Sequence, residues 1–249
     1  MASSGPSQVA LVTGVSRGIG AAIASAFIAE GYVVAGCGRS PEPAEPVAGL
    51  DYRVCDLAEP TAPAALVEGV AAAHGSLDVL VNNAAVEVDA TVEETSVEQW
   101  DETLAVNVRA PGLLAAAAVP HMRKAGGGVI INIASIDGLW AEPALPAYCA
   151  SKGALIAMTR ALAIDHGKDG IRCVAICPSY VRTAMLEQFF QSQADPAAAL
   201  AGGVAMHPIG RLAEPSDIAD LAVFLASDRA SFLTGHVYMA DGGMIAGHL

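Results

Sequence analysis

Short aliphatic runs recur along the chain, separated by longer stretches in which apolar residues, many of them alanine, return at helical spacing. The runs are Val9-Ala-Leu-Val12, Val33-Val-Ala35, Leu77-Asp-Val-Leu-Val81, Gly128-Val-Ile-Ile-Asn-Ile133 and Ile171-Arg-Cys-Val-Ala-Ile176. Ala21 to Glu30, Gly112 to Val119 and Gly153 to Ala163 are helical stretches between them. A run without polar alternation suits a parallel strand buried on both faces, because a half-exposed strand alternates apolar and polar residues. Strand and helix in alternation predict an α/β fold, a doubly wound parallel sheet with right-handed crossovers and helices on both faces. A chain of 249 residues suffices for one such domain with a sizeable core.

The first run leads directly into Thr13-Gly-Val-Ser-Arg-Gly-Ile-Gly20 and then into a helical stretch. In that setting glycines let the backbone approach a pyrophosphate, and the helix N-terminus supplies N–H donors and a positive dipole end. The spacing G-x-x-x-G-x-G (Gly14, Gly18, Gly20) departs from the common G-x-G-x-x-G, and a tight turn needing glycine only for backbone freedom is the competing reading. Further on, Tyr148-Cys-Ala-Ser-Lys152 places a phenol and an ammonium four residues apart, on one face of a helix. A free tyrosine keeps its proton to pH ~10. A nearby lysine charge favours the phenolate and lowers that value, so the pair suits acid–base chemistry.

The two motifs together, T-G-x-x-x-G-x-G and Y-x-x-x-K, resemble the short-chain dehydrogenase/reductase family. The resemblance continues through Asp56-Leu57, Asn82-Asn-Ala-Ala85, Asn107, Ser135, Pro178-Ser-Tyr-Val-Arg-Thr183, Thr234-Gly235 and Asp241-Gly-Gly243. Ala85 and Ser179 stand where the family usually has glycine. The resemblance implies one Rossmann-type domain over residues 1–249 with about seven strands, and a nicotinamide cofactor. Ser16, Arg17 and Ile19 of the glycine loop, Asp56, Leu57, Asn83, Ala84, Ala85, Pro178, Val181 and Thr183 would then line the cofactor site. Tyr148 would be the general acid/base, Lys152 would depress its pKa and bind the nicotinamide ribose, and Ser135 would hold the substrate oxygen. Asn107 would hold a water that links Lys152 to solvent.

The cofactor type turns on the end of the second run, Gly38-Arg39-Ser40. An NAD-binding site usually places an acid there for the ribose hydroxyls. Gly38 leaves room for a 2′-phosphate, and Arg39, Ser40 and Arg17 can bind it, so NADP(H) is favoured over NAD(H). The competing picture has Arg39 stacked on adenine or in water.

Substrate identity is less legible. By resemblance, residues 184–211 form a mobile lid with Leu186, Phe189, Phe190 and Met206 on its apolar face; an ordinary packed amphipathic helix is the alternative. Val86, Glu87, Trp140, Glu142, Tyr180 and Met185 would lie near the pocket. Trp140 suits a cyclic ketone and the two glutamates suit a polyol or sugar, though at least one of them is expected to face solvent. The reading is therefore a secondary alcohol or ketone with NADP(H), or an NAD(H)-dependent dehydrogenase of a polyol, sugar or cyclic alcohol. An inactive nucleotide-binding regulator and an extended-type sugar-nucleotide epimerase are the other classes weighed. An enoyl reductase of the same family would need a wider Tyr–Lys spacing.

Composition narrows the partners. A net charge of −13, a sequence pI near 4.7 and the absence of a basic run argue against nucleic acid and anionic membrane. Charges, glycines and prolines interrupt each apolar run before the ~18 residues of a membrane span. Residues 1–7 lack the pattern of a signal peptide and read as a frayed tail. Five cysteines, an odd number, point to a reducing compartment such as the cytoplasm and read as small core residues. Cys173 and Cys177 have no companion ligands for a metal, and none is expected. Pro41 to Pro46 reads as a surface loop. By resemblance the chain would form a homotetramer through helices near Val97 to Ala117 and Ala147 to Gly167.

Overall fold

The computed structural model, which describes residues 7–247, turns each aliphatic run into a parallel strand. The strands are β1 (Val9–Thr13), β2 (Val33–Gly38), β3 (Asp51–Val54), β4 (Val79–Asn82), β5 (Gly128–Ile133), β6 (Ile171–Pro178) and β7 (Val237–Ala240). They form one seven-stranded sheet in the order β3-β2-β1-β4-β5-β6-β7. The expected tail, residues 1–7, lies outside the described residues except for Ser7. All strand pairs are parallel, so each connection must cross a face of the sheet, and helices do the crossing.

The faces are divided by the pleat. Ala10 and Val12 of β1, Val79 and Val81 of β4 and Val174 and Ile176 of β6 point one way, onto α1 (Gly18–Ala29) and α8 (Pro215–Ala226). Leu11 and Leu80 point the other way, onto α2 (Ala62–His74) and α4 (Ala110–Ala125). Helix α1 begins at Gly18, three residues before the stretch expected from the pattern, so the last two loop glycines belong to its first turn. Helices α2 and α4 end on Gly75 and Gly126, both in the left-handed conformation that glycine adopts without a Cβ clash.

Helix α3 (Val97–Leu104) starts at a capping box, Ser96 and Gln99 satisfying each other's backbone N–H. It runs through a π-helical turn at Ala105–Arg109 into α4. The combined helix, Val97–Ala125, is 29 residues long and contains an 18-residue window of mean hydropathy 1.2, so one stretch does reach the length and apolarity of a membrane span. Its apolar stripe is nevertheless core: Leu114, Ala115 and Ala118 are wholly buried against the sheet. Helix α5 (Pro146–His166) packs on β6, and α6 (Ala184–Ser192) and α7 (Pro196–Ala205) follow β6 as two separate helices.

Cysteine burial departs from expectation. Cys37, Cys173 and Cys177 are buried, but Cys55, at the rim of a cleft, and Cys149, in the first turn of α5, are only half-buried. All five are free thiols.

Leu114 is among the largest fully buried side chains. Replacing it with alanine leaves a cavity between α4 and the sheet and should cost about 2–5 kcal/mol, read as a lower denaturant midpoint with an unchanged m-value.

Candidate active site

Strand order reverses direction at β1, whose neighbours β2 and β4 lead to opposite halves of the sheet. At such a switch point the loops diverge and leave a crevice at the carboxyl ends of the strands. Thr13 and Asn83 hold it. Thr13 Oγ1 accepts the N–H groups of Asn83 and Ala84 (3.0 Å each) and donates to Val81 O (3.3 Å). Asn83 Nδ2 donates to the carbonyls of Thr13 (2.8 Å) and Gly14 (3.2 Å). That lacing leaves no room for a side chain at Gly14 or Gly20. A Cβ on Gly20 would sit 2.2 Å from Gly14 O, and one on Gly14, which has φ +70°, would sit 2.8 Å from Ala84 Cα.

The crevice opens a cleft of about 450 Å³ lined by Gly14, Ser16, Arg17, Gly18, Ile19 and Gly20 on one side. Gly38, Arg39, Ser40, Asp56 and Leu57 line its outer end, and Asn83, Ala84, Ala85 and Thr183 its inner wall. The residues fit a dinucleotide: bare backbone at a helix N-terminus for the pyrophosphate, and a string of small groups on either side. Pro178 and Val181, also expected at the cofactor, line the adjoining cavity together with Tyr148 and Lys152.

The outer end corrects the reading of Gly38. A Cβ there would lie 2.5 Å from the Tyr52 hydroxyl, which donates to Ser40 O at 2.8 Å. Tyr52 therefore takes the space that the missing side chain leaves. Arg39 is exposed and only 3.4 Å from Glu102, a pair of little energetic weight. The segment Pro41 to Pro46 is more than a surface loop. Glu45 accepts the Gly18 N–H (3.1 Å), Ala44 N–H donates to Ser16 Oγ (3.0 Å), and Ala44 lines the cleft.

A second cavity of about 590 Å³ adjoins the first, with Ile19, Asn83, Ala85, Thr183 and Met185 on the shared rim. Ser135, Tyr148 and Lys152 line it, delivered by the end of β5 and the first turns of α5. Lys152 is buried, donates to Ile133 O at 2.8 Å, and has its Nζ 5.3 Å from the Tyr148 ring centroid. Burial lowers its pKa to about 8. Burial pushes the Tyr148 phenol well above its ordinary value, the Glu87 and Asp137 charges push the same way, and a hydrogen bond with Ser135 pulls it down. The expected depression by Lys152 is thus outweighed, first by burial of the phenol and then by the two carboxylates that stand close.

Asn107 is buried in the π-helical turn. Its Oδ1 accepts Val86 N–H (2.8 Å) and its Nδ2 donates to Val86 O (2.8 Å) and Ser151 Oγ (3.0 Å). Val86 is held in that exchange and lines the cofactor cleft, where a place in the substrate pocket was expected. Glu87, Trp140, Glu142, Tyr180, Met185 and Phe189 do line the second cavity, and so does Asp137, which sequence reasoning missed. The only signal for Asp137 was its place two residues after Ser135. Both glutamates face the cavity. Glu87 is open to solvent yet crowded by protein; burial first, then Asp137 and Glu142, raises its pKa. Burial also raises those of Asp137 and Glu142.

The expected lid is two helices. Phe190 is buried against Tyr180 (centroids 6.1 Å apart), whereas Phe189, Leu186 and Met206 border the cavity.

A family model described as "Enoyl-(Acyl carrier protein) reductase" matches residues 14–245. Meso-2,3-butanediol dehydrogenase of Serratia marcescens is 37% identical over 245 residues, covering 96% of this chain and 95% of that protein. D-threitol dehydrogenase of Mycolicibacterium smegmatis is 38% identical over 244 residues, covering 95% and 92%. The ligand-free structure of Thermoplasma acidophilum aldohexose dehydrogenase superposes with a TM-score of 0.91 at 31% identity, covering 97% of this chain and 95% of that one.

Substitution Gly20→Ala forces backbone away from Gly14 O and Asn83. Nicotinamide dinucleotide affinity should fall at least about tenfold, measured by quenching of intrinsic fluorescence, with the far-ultraviolet dichroism unchanged.

Proposed function

The chain belongs to the short-chain dehydrogenase/reductase family, and from that membership we propose an NADP(H)-dependent enzyme that interconverts a secondary alcohol and a ketone on a small hydroxylated substrate. The observation that carries this is the meeting of Tyr148, Ser135 and Lys152 in one cavity that opens onto the glycine-loop cleft. A bound nicotinamide supplies the hydride chemistry, and the cleft residues orient it.

Tyr148 is the acid/base. In reduction its hydroxyl gives a proton to the carbonyl oxygen, and the raised pKa keeps that proton available at neutral pH. In oxidation the phenol must first lose its proton, which the Lys152 ammonium favours while it remains charged, below about pH 8. Ser135 donates to the substrate oxygen and stabilises the charge that develops there. Asn107 has both Nδ2 hydrogens committed, so a water relay past it must use Oδ1 or the main chain. Carbonyl chemistry, and not the enoyl reduction in the family model's description, is supported by the Tyr148–Lys152 spacing on one helix.

Substrate class follows from charge. Glu87, Asp137 and Glu142 face the cavity, and Lys152 is the cation among its lining residues. An anionic substrate is repelled, while hydroxyl groups can donate to the carboxylates. Trp140, Met185 and Phe189 supply an apolar wall suited to carbon-bound hydrogens. Relatives named for butanediol, threitol and aldohexose share this chemistry of neighbouring hydroxyls. The preference for NADP(H) rests on Arg17, Arg39 and Ser40 among the residues that line the cleft, opposed by Asp56 at its outer end and Glu45 at its edge. The free thiols support a reducing, cytoplasmic setting.

Nicotinamide absorbance with diols, tetritols, aldoses, cyclic ketones and an enoyl thioester, each with both dinucleotides, tests the reading. Turnover confined to the enoyl thioester sinks it. In Tyr148→Phe, kcat should drop by at least about 10²-fold while cofactor affinity stays within about twofold. Arg39→Asp should reverse the dinucleotide preference; an unchanged ratio of the two kcat/KM values overturns the NADP(H) assignment.

A further inference from the structure

We propose that Asp137 is a positioning residue that sets the direction of the Ser135 hydroxyl, so that Ser135 donates to substrate only when Asp137 carries a proton. The inference rests on the catalytic reading above. Its basis is a two-point contact: Ser135 Oγ lies 2.8 Å from Asp137 Oδ2, and the Asp137 backbone N–H donates to Ser135 Oγ at 3.1 Å. A hydroxyl has one proton and two lone pairs. The backbone N–H fills one lone pair, and Tyr148 is the hydroxyl's other neighbour. An ionised carboxylate can only accept, so while Asp137 is ionised the Ser135 proton belongs to it.

That arrangement conflicts with oxyanion stabilisation, which needs the same proton on the substrate oxygen. A proton on Asp137 resolves the conflict. The carboxyl O–H then donates to Ser135 Oγ, and the serine proton is released toward the cavity. No proton is consumed by this reorientation, and it serves both directions alike because they share a transition state.

The surroundings act on the switch in opposing directions, with burial the leading one. Burial raises the Asp137 pKa above the usual carboxylate range, whereas the Ser135 hydrogen bond and the Lys152 charge lower it. Glu87, Glu142, Tyr148, Cys149, Cys177 and Tyr180 are the other titratable groups that couple to it, from the β4 loop, the segment before α5, α5 itself and the end of β6. Asp137 Oδ1 is buried and has no hydrogen-bond partner, a position that a proton suits better than a charge.

The pH profile of kcat/KM for ketone reduction is the test. Wild type should be level at low pH and then fall about tenfold per unit above the Asp137 midpoint, toward the activity of Ser135→Ala. In Asp137→Asn the amide N–H donates to Ser135 Oγ at every pH, so this limb should vanish while the limbs of Lys152 and Tyr148 remain. The same limb in Asp137→Asn overturns the proposal, because a merely structural aspartate would change the height of the profile and leave its shape. A turnover-independent measurement separates this from failure of the functional reading. Carbon-13 NMR of the Asp137 carboxyl should show its midpoint move upward in Ser135→Ala, since the serine hydroxyl stabilises the carboxylate. An unmoved midpoint overturns the proposal even if no substrate is found.

Discussion

Everything functional in this molecule hangs from the lacing of Thr13 and Asn83 across the β1–β4 boundary. Parallel neighbours need only their backbone ladder, yet here one threonine hydroxyl and one asparagine amide make five further hydrogen bonds at the strands' carboxyl ends. The lacing draws the loop after β4 against the loop after β1. That contact is why Gly14 and Gly20 have no space for a side chain, and the bare backbone it enforces forms the floor of the cofactor cleft. The same pull sends Ala85 and Val86 toward Asn107, whose amide takes both backbone groups of Val86 and a hydroxyl on α5. Cofactor cleft and catalytic helix are therefore set by one continuous hydrogen-bonded path, with the π-helical turn supplying the bend that aims Asn107 inward.

The catalytic cavity is arranged around a charge imbalance. Four carboxylates, Glu87, Asp89, Asp137 and Glu142, border it, and the single buried ammonium is engaged by Ile133 O. Burial is the first cause that raises the pKa values of Glu87, Asp137, Glu142 and Tyr148, and the Glu87 and Asp137 charges push Tyr148 the same way. A raised pKa leaves the phenol protonated at neutral pH, yet makes it the weaker acid and its phenolate the stronger base. The charge also filters substrates before any fit is tested, since an anion must enter against it.

The fold was legible because it is written in long-range repetition. Five aliphatic runs and the alanine-rich stretches between them require parallel strands and crossovers, whereas the strand order β3-β2-β1-β4-β5-β6-β7 emerged only in the structure. The glycine loop and the Tyr148–Lys152 pair were legible because their chemistry depends on local spacing, which a helix or a tight turn preserves. What stayed hidden depends on contacts between distant segments. Gly38 looked like an opening for phosphate until Tyr52, from the neighbouring strand, filled the space. Lys152 looked like the controlling charge on Tyr148, but burial of the phenol leads, and Glu87 and Asp137, from other segments, push the same way. Pro41 to Pro46 looked like free surface, yet Glu45 and Ala44 bind back onto the glycine loop.

Serine at position 179, where the family resemblance leads one to expect glycine, shows how a local departure gains meaning from a distant partner. The Ser179 hydroxyl meets His207 Nε2 at 2.8 Å, and His207 Nδ1 meets Gly203 O at 2.8 Å. A carbonyl can only accept, so Nδ1 carries the proton and the imidazole bridges the end of β6 to the end of α7. Glycine has no atom with which to make that bridge. Tyr180, next in sequence, is clamped between Phe190 and His207, with ring centroids 6.1 and 6.0 Å away. The bridge therefore fixes one end of the two-helix cover together with the Tyr180 wall of the cavity. The other end, where Met185 and Phe189 are exposed at the rim, has no comparable tie among the described residues. The histidine bridge and the Tyr180 wall thus form one tied unit on the closed side of the cavity, and Met185 and Phe189 stand at its exposed rim.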